Sequence, residues 1–478
     1  MERIKKTFVI IGAGPTGLGA ALRLQELGET NFLLVEAAGE AGGLASSVKD
    51  EHGFTWDLGG HVQFSHYEIF DEYMDLALGK GGWLHHVRES WVWMRNRFIP
   101  YPFQYNLHRL PGEEKWTCAQ GLLKASLDGK WQPKNFKEWI LHTFGTGMAE
   151  AFFFPYNSKV WAYPLEMMGQ QWMGERVAIP DLEKVLAGIC LDQDHISWGP
   201  NHTFRFPKVG GTGAVWRSLA QRLPEEKLKP GKKVVSVNTN ERIIQLESGE
   251  TYEYEYLISS IPLDRLTKMS DRSDLAEETS KLLYSSAHIF GIGLEGKVPE
   301  HLRTKCWIYF PESNSPFYRV TVFSNYSPWN TPRPGRTWSL MAEVSQSAYK
   351  PVNGETIFDE VINGLLATKL IRSNDQIISK WHRFLNYGYP TPSIARDEIL
   401  DYVLPELEKC NVFSRGRFGA WKYEVSNQDH SFMQGWECVD RILENDSECE
   451  PTLNFPSKVN GTYNRKKESR SIIGETSK

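Results

Sequence analysis

The chain predicts an α/β protein with a Rossmann-like unit at its start, an inserted helical layer and a separate mixed or antiparallel β-sheet. Three observations carry this. Phe8–Val9–Ile10–Ile11 enters Gly12–Ala13–Gly14–Pro15–Thr16–Gly17 and leaves as an Ala/Leu-rich stretch, which is strand, glycine turn and helix in succession. Leu33–Leu34–Val35 then ends on Glu36, 22 positions beyond Gly14. Further along, helical spacing gives way to short apolar clusters of strand character.

In order, Thr7–Ile11 is the first strand and Gly17–Leu27 the first helix, with Leu18, Ala21, Leu22 and Leu24 available for packing. Asn31–Glu36 is the second strand, and Gly42–Gly43–Leu44–Ala45–Ser46–Ser47 a second backbone-rich turn. A mononucleotide-binding half needs more parallel strands than two, so Lys233–Val237, Glu255–Ser260 and Val412–Gly419 are expected to return and complete the sheet. Pro111–Leu127, Phe136–Met148 and Leu182–Ile189 read as helices of the inserted layer. Phe204–Phe206, Cys306–Phe310, Phe317–Phe323 and Thr337–Val344 read as strands of the other sheet, with Ile357–Leu366 and Asp397–Glu408 helical.

The 478 residues are 41% apolar and 24% charged, with a net charge of -5, so no bulk field favours nucleic acid or anionic lipid. Six scattered cysteines without CxxC spacing argue against a disulfide scaffold or a zinc site, and no metal is expected. No apolar run reaches membrane-spanning length, and the short charged start leaves no room for a signal peptide. A cytoplasmic protein without direct membrane insertion is expected, with residues 462–478 a frayed polar tail. HExxH, GxSxG and the phosphate loop of nucleotide hydrolases are all absent.

In the glycine turn, Gly12 permits the tight bend, Gly14 lets a pyrophosphate approach the backbone and Gly17 keeps helix close to strand. Helix N–H groups then face the diphosphate, and Glu36 accepts ribose hydroxyls. FAD is favoured over NAD, because a second glycine pair follows closely and no second fingerprint exists for a stably bound nicotinamide nucleotide. Gly210–Gly211–Thr212–Gly213 is either a cofactor-facing turn or the entry to the next helix. His61, behind Gly59–Gly60, either bonds near a flavin N5 or closes a tight loop. Arg319 lies in the strand-like run Phe317–Tyr318–Arg319–Val320, where its charge needs a carboxylate or a ligand anion. In Arg415–Gly416–Arg417–Phe418–Gly419–Ala420–Trp421–Lys422–Tyr423, basic side chains and phenols separated by glycines suit phosphate oxygens better than internal ion pairing.

Beyond the glycine turns, the chain carries Gly59–Gly60–His61–Val62–Gln63–Phe64–Ser65–His66, Tyr101–Pro102–Phe103–Gln104 and Pro155–Tyr156–Asn157–Ser158–Lys159–Val160–Trp161. Gly388–Tyr389–Pro390–Thr391–Pro392, Arg417–Phe418–Gly419, Trp421–Lys422–Tyr423–Glu424 and Asn427–Gln428–Asp429–His430–Ser431 follow. Together these closely resemble the UDP-galactopyranose mutases of the eukaryotic type, from the first strand to about Gly461.

The resemblance implies reversible isomerisation of UDP-galactopyranose and UDP-galactofuranose through a covalent adduct of galactose on reduced-flavin N5, with no net redox change. NADPH, or less selectively NADH, is the implied transient reductant. It also implies a discontinuous FAD domain (1–84 plus about 205–265 and 405–461), a mainly helical domain (about 108–200) and a sheet domain (about 85–107 and 266–404). By the match, His61, Arg176, Arg319 and Arg417 are catalytic. Arg176 and Arg319 bind the diphosphate, Tyr389 and Tyr423 donate to it, and Arg417 sits near flavin and galactose. Phe64, Arg88, Asn201, Trp307, Tyr309 and Tyr326 surround the sugar, the phosphates or closing surfaces, while Gln104, Asn157 and Trp161 are uridine-side contacts. Gly12, Gly14, Pro15, Thr16, Gly17, Glu36, Gly43, Leu44, Ser46, Gly60, His61, Arg417, Asn427, Gln428 and Ser431 are the implied cofactor contacts. The turns at Gly174 and Pro200–Asn201 are expected to close over substrate. A single chain identifies no oligomeric partner. Two other readings share the fingerprint: an FAD-dependent amine oxidase-like oxidoreductase and a noncatalytic UDP-sugar-binding flavoprotein.

Overall fold

The computed structural model describes residues 3–129, 132–173, 177, 179–196 and 202–460. The chain begins with β1 (Ile4–Ile11), α1 (Pro15–Glu26), β2 (Phe32–Val35) and the short hairpin β3 (Ser47–Lys49) and β4 (Thr55–Asp57). Then come α2 (Glu68–Leu78), β5 (Trp83–Val87), β6 (Ser90–Met94) and β7 (Arg97–Pro100). Four helices follow, α3 (Gly112–Leu127), α4 (Phe136–Met148), α5 (Phe154–Trp161) and α6 (Leu182–Leu191). The chain returns through β8 (Thr203–Pro207), α7 (Gly213–Ala220), β9 (Leu228–Lys229), β10 (Val234–Asn238), β11 (Ile243–Leu246) and β12 (Thr251–Ser259). After α8 (Leu263–Lys268) and α9 (Ser273–Thr279) it lays down β13 (Tyr284–Glu295), β14 (Trp307–Tyr309), β15 (Arg319–Thr321), the turn α10 (Phe323–Tyr326) and β16 (Thr337–Gln346). It continues with α11 (Ile357–Ala367), β17 (Ile377–Pro390), α12 (Arg396–Glu408), β18 (Val412–Ser414) and α13 (Gln428–Glu444), and the described residues end in the short α14 (Pro451–Asn454) and α15 (Pro456–Asn460).

One sheet has the order β10-β11-β12-β1-β2-β9, with β18 also parallel to β12. Its centre is parallel, Ile10 facing Ile258 on one side and Leu34 on the other. Phe8–Ile11 are buried throughout, as expected of a parallel strand covered on both faces. Pro15 at the start of α1 begins the helix without sacrificing a needed N–H. α13 packs against α1 because Gly435 and Gly19 leave room: a Cβ on either would run into the backbone oxygen of Thr16 or Phe432. Arg23, buried in that contact, is answered by Asp440 at 2.7 Å and lies over Trp436.

The second sheet, β17-β13-β16-β15-β14-β6-β7, is antiparallel except at β14–β6. The helices α3 to α6 build a third apolar cluster with Phe103, Phe144, Phe152, Phe153 and Trp161 inside it. The class is therefore mixed α/β, with a Rossmann-like region, helices and a second sheet.

Several elements depart from the sequence reading in their partners. Lys233–Val237 joins the first sheet only at its antiparallel edge, because the turn after Asn238 folds it into a hairpin with β11. Of Val412–Gly419 only Val412–Ser414 is strand, and Gly416, at φ +88°, turns the chain away. Phe204–Phe206 pairs with β5 rather than with the large second sheet. Gly210–Gly213 is the entry to α7. The Gly213 N–H donates to Ser47 Oγ at 2.7 Å, and that of Thr212 to Asp57 at 3.1 Å. Burial pushes the Asp57 carboxyl up to about 7, partly offset by its bonds from Ser47 and Thr212. All six cysteines are free thiols. Among the described residues no helix is long and apolar enough to cross a membrane.

Candidate active site

Two helix N-termini open on one cavity. Gly14 caps α1 and Asn427 caps α13, and both residues line a cleft of about 740 Å³ between the two sheets' strand ends. Unsatisfied N–H groups at both ends make this rim favourable for anionic oxygens.

At the α1 end, the two glycine turns face each other: the Gly42 N–H donates to the Ala13 carbonyl at 2.8 Å, and a Cβ on Gly14 would still clear Gly42 O by 3.9 Å. That clearance leaves the backbone approachable, with Pro15, Thr16, Gly43 and Leu44 also on the wall. Glu36 accepts from the Ala13 N–H at 2.7 Å and the Ala38 N–H at 2.8 Å, one bond per oxygen, so each retains acceptor capacity for a ribose. Gly17 packs against Gly12, where any side chain would overlap the Gly12 carbonyl. Ser46 follows the short turn after Gly43 and, like Gly17, is off the cavity wall among the described residues.

The middle of the cleft is the loop Gly59–Gly60–His61. Gly59 sits at φ +144°, and a Cβ on Gly60 would crowd Glu343, Thr321 and Arg319. Burial, opposed by Glu343 and aided by Arg417 and Arg319, pushes the His61 imidazole down to about 4. It is neutral at physiological pH, and its buried Nδ1 has no partner among the described residues. Gln428 bonds Gln63 at 2.9 Å and Trp216 at 2.7 Å, tying this loop's end to α13 and α7; Ser431 lies one turn further along α13.

At the far end, adjacent strands place Arg319 opposite Glu343. The carboxylate accepts from Arg319 Nε at 2.7 Å and Nη2 at 2.9 Å, from the Tyr318 hydroxyl at 2.7 Å and from the Gly60 N–H at 3.2 Å. Tyr318 in turn meets the Tyr389 hydroxyl at 3.1 Å. Arg417 donates to Ser426 Oγ at 2.8 Å and the Gly388 carbonyl at 3.0 Å, lying over the Tyr389 ring with Tyr423 beyond. Arg88 stacks on Trp307, 4.9 Å from its centroid, and donates to Ser90 Oγ at 3.1 Å. Phe64 lines the same part of the wall.

Other expected contacts stand behind this wall. Trp161 is buried edge-on to Tyr423, with ring centroids 4.8 Å apart. Tyr309 accepts from the Trp307 indole at 2.6 Å. Gln104 is buried in the turn after β7, and the Asn157 amide donates at 2.8 Å to the carbonyl of Phe153, the residue that caps α5. Tyr326 lies in the core against Phe204, Phe206 and Phe323. Arg176, Gly174, Pro200 and Asn201 fall outside the described residues. Arg415 departs from the expected phosphate role. It is fully buried and donates to Glu450 Oε2 at 2.7 Å and Glu408 at 2.8 Å, so internal ion pairing claims it while Arg417 reaches the cleft.

Glu343, Tyr318, Ser426 and Asp429 are cleft residues that the sequence reading missed. Glu343 had a signal: an acid inside Thr337–Val344, matching an arginine inside another apolar strand.

A glycine cradle at a helix N-terminus, an acid for a ribose, a glycine-lined slot and a neutral histidine fit a flavin dinucleotide. Fold and site define a flavin-dependent enzyme. A family model for flavin containing amine oxidoreductases matches residues 15–397. The chain is 25% identical to amine oxidase [flavin-containing] A of Canis lupus familiaris over 323 residues, 64% of this chain and 56% of that protein. For the Bos taurus protein the identity is 25% over 344 residues, 66% and 59% of the two chains, so the match spans under two thirds of these relatives. A crystal structure of reduced UDP-galactopyranose mutase superposes with a TM-score of 0.93 at 48% identity, covering 95% of this chain and 97% of that one. A putative protoporphyrinogen oxidase from Exiguobacterium, at 15% identity and TM-score 0.71 over 93% and 100%, shares the fold. The chain belongs to the flavin-containing amine oxidoreductases and, within them, to the UDP-galactopyranose mutase family.

Proposed function

We propose that this protein interconverts UDP-galactopyranose and UDP-galactofuranose with no net redox change, using FAD reduced by NADPH or NADH. The observation that carries this is one continuous cleft. Its Gly12–Glu36 end suits a dinucleotide, and Arg319, Arg417, Tyr389 and Tyr423 converge at the other. When bound and reduced, FAD supplies the nucleophile for the anomeric carbon, which is why no serine, cysteine or carboxylate nucleophile is needed.

The chain's own residues do the rest. Arg319, with Arg176 and the two phenols, holds the diphosphate as charge develops on departing UDP and keeps it in place for return. Glu343 orients Arg319 through two bonds, while Nη1 of that guanidinium has no bond among the described residues. His61, neutral, carries a proton on one ring nitrogen only and would offer a ring nitrogen to the bound cofactor. Arg417, on the cleft wall, would face bound flavin and sugar. Phe64 and Trp307 shield the reacting carbon from water, and Gln104, Asn157 and Trp161 back the uridine side from behind the wall. The expected FAD and sheet domains would supply the walls of this cleft, with the expected helical domain behind them. Six free thiols suit the cytoplasm.

The test is anaerobic incubation of dithionite-reduced protein with UDP-galactofuranose, with products separated by chromatography. UDP-galactopyranose is expected from reduced protein and not from the fully oxidised form. Binding of the nucleotide sugar without conversion would mark a noncatalytic flavoprotein; flavin reduction by amines without conversion would mark an oxidase.

A further inference from the structure

α5 carries one lysine, Lys159, and the chemistry above does not use it. Its side chain crosses to the turn between β14 and β15, where the ammonium donates to the carbonyls of Phe310 at 3.0 Å, Phe317 at 3.1 Å and Glu312, and to Ser315 Oγ at 3.3 Å. Three N–H donors meet four oxygens, so the turn is wrapped around a cation. Those oxygens are backbone carbonyls and a hydroxyl; the Glu312 carboxylate is turned to Arg95. Burial, then the charge of Lys350, pushes the ammonium's pKa down to about 7. A buried ammonium bonded only to dipoles, with the Glu312 charge as a favourable electrostatic neighbour, is costly, and its position asks for a reason.

The turn joins Arg319, on the cleft wall, to Tyr309, which stands behind it. Tyr309 immediately precedes Phe310, and Arg319 lies two positions beyond Phe317, the pair facing each other across the strands. The helix supplying the ammonium also carries Tyr156, edge-on to Tyr309 at 5.2 Å, and Trp161, edge-on to Tyr423. Three contacts on one helix therefore meet the turn, the strand end and a phenol. Two neighbouring aromatic contacts permit sliding, whereas four converging hydrogen bonds fix a distance.

We propose that Lys159 is a positioning residue that sets the separation between α5, which backs the nucleoside side of the cleft, and the diphosphate-holding Arg319 on β15; this rests on the nucleotide-sugar reading above. It gathers the carbonyls of the turn around one point and so holds the β14–β15 hairpin at a fixed offset from the helix.

The experiment compares wild-type, Lys159→Met, Lys159→Ala and Lys159→Arg proteins for flavin content, UDP affinity, kcat and KM. Lys159→Met is expected to keep its flavin and lose about ten- to hundredfold in UDP affinity, the loss falling on KM more than on kcat. For Lys159→Ala, propylammonium should restore affinity saturably, while tetramethylammonium, which has no N–H donors, should not. A structural role without positioning would move thermal stability but not this rescue. Lys159→Arg keeps the charge in a planar fork that cannot converge on four oxygens, and is expected to bind UDP about tenfold more weakly. It decides the matter if the Met variant is insoluble. Any soluble variant with wild-type UDP affinity and KM would overturn the proposal. Wild-type protein that binds no UDP would overturn the functional reading and this proposal together.

Discussion

Arg319 is useful because of what surrounds it. A guanidinium in an apolar strand is strongly disfavoured unless paired, and Glu343 on the neighbouring strand pairs it through two hydrogen bonds. The pair also reaches Gly60 and Tyr318, so one carboxylate connects the cofactor loop to the diphosphate end. Arg319→Ala is expected to weaken UDP binding about a hundredfold and to cost about 3 kcal/mol of stability by stranding Glu343. Adding Glu343→Gln should recover much of the stability and none of the affinity, measured by denaturant titration and UDP binding.

His61 makes a second prediction through pH. Its pKa is about 4 in the folded protein, against 6.5 for the free side chain. Between those values the unfolded chain takes up a proton that the folded protein refuses. The stabilisation from this neutral histidine is therefore complete above about pH 6.5 and is lost as the pH falls toward 4. The denaturation midpoint of wild-type protein should fall more steeply across that window than that of His61→Asn, with parallel curves above it. Identical slopes would reject the assignment.

Among the elements, the crossing of α1 and α13 matters most for the cofactor. Gly435 lets α13 lie against Thr16, and Gly416 lies so close that a Cβ would overlap the Thr16 hydroxyl. Gly435→Ala must push the helices apart, misplacing Asn427 and Gln428 relative to Gly14. It is expected to cost about 1–3 kcal/mol, and purified protein should carry less flavin by absorbance.

For the molecule as a whole, the stretch from Glu408 to Glu450 is pinned by charge. Arg415 and Arg441 meet Glu408 and Glu450 in a buried network that joins α12, β18 and α13. Glu450→Gln removes one of the two carboxylates on the buried Arg415 and leaves Glu408, so it should lower stability by about 1.5–3 kcal/mol in urea. The same network explains why Arg415 and Arg417, two residues apart and identical in type, have different fates. Glycine at 416 turns one inward to acids and the other outward to the cleft.

What could be read without tertiary structure was local. Gly12, Gly14 and Gly17 announce a nucleotide turn because few residues tolerate that backbone or that closeness, and Glu36 follows at the distance one βαβ step imposes. His61, Arg319 and the Arg417–Tyr423 run stood out by residue type, family likeness added Tyr389 and the roles, and all of these side chains share the walls of one cleft. Three-dimensional packing alone decided the pairings. Glu343 found Arg319 through strand register, Glu450 took Arg415, α13 returned to α1 from the far end of the chain, and Tyr326 went into the core. The physical reason is range: backbone conformation is governed by neighbours in sequence, whereas the neutralisation of a buried charge depends on whichever group the fold carries within a few ångströms.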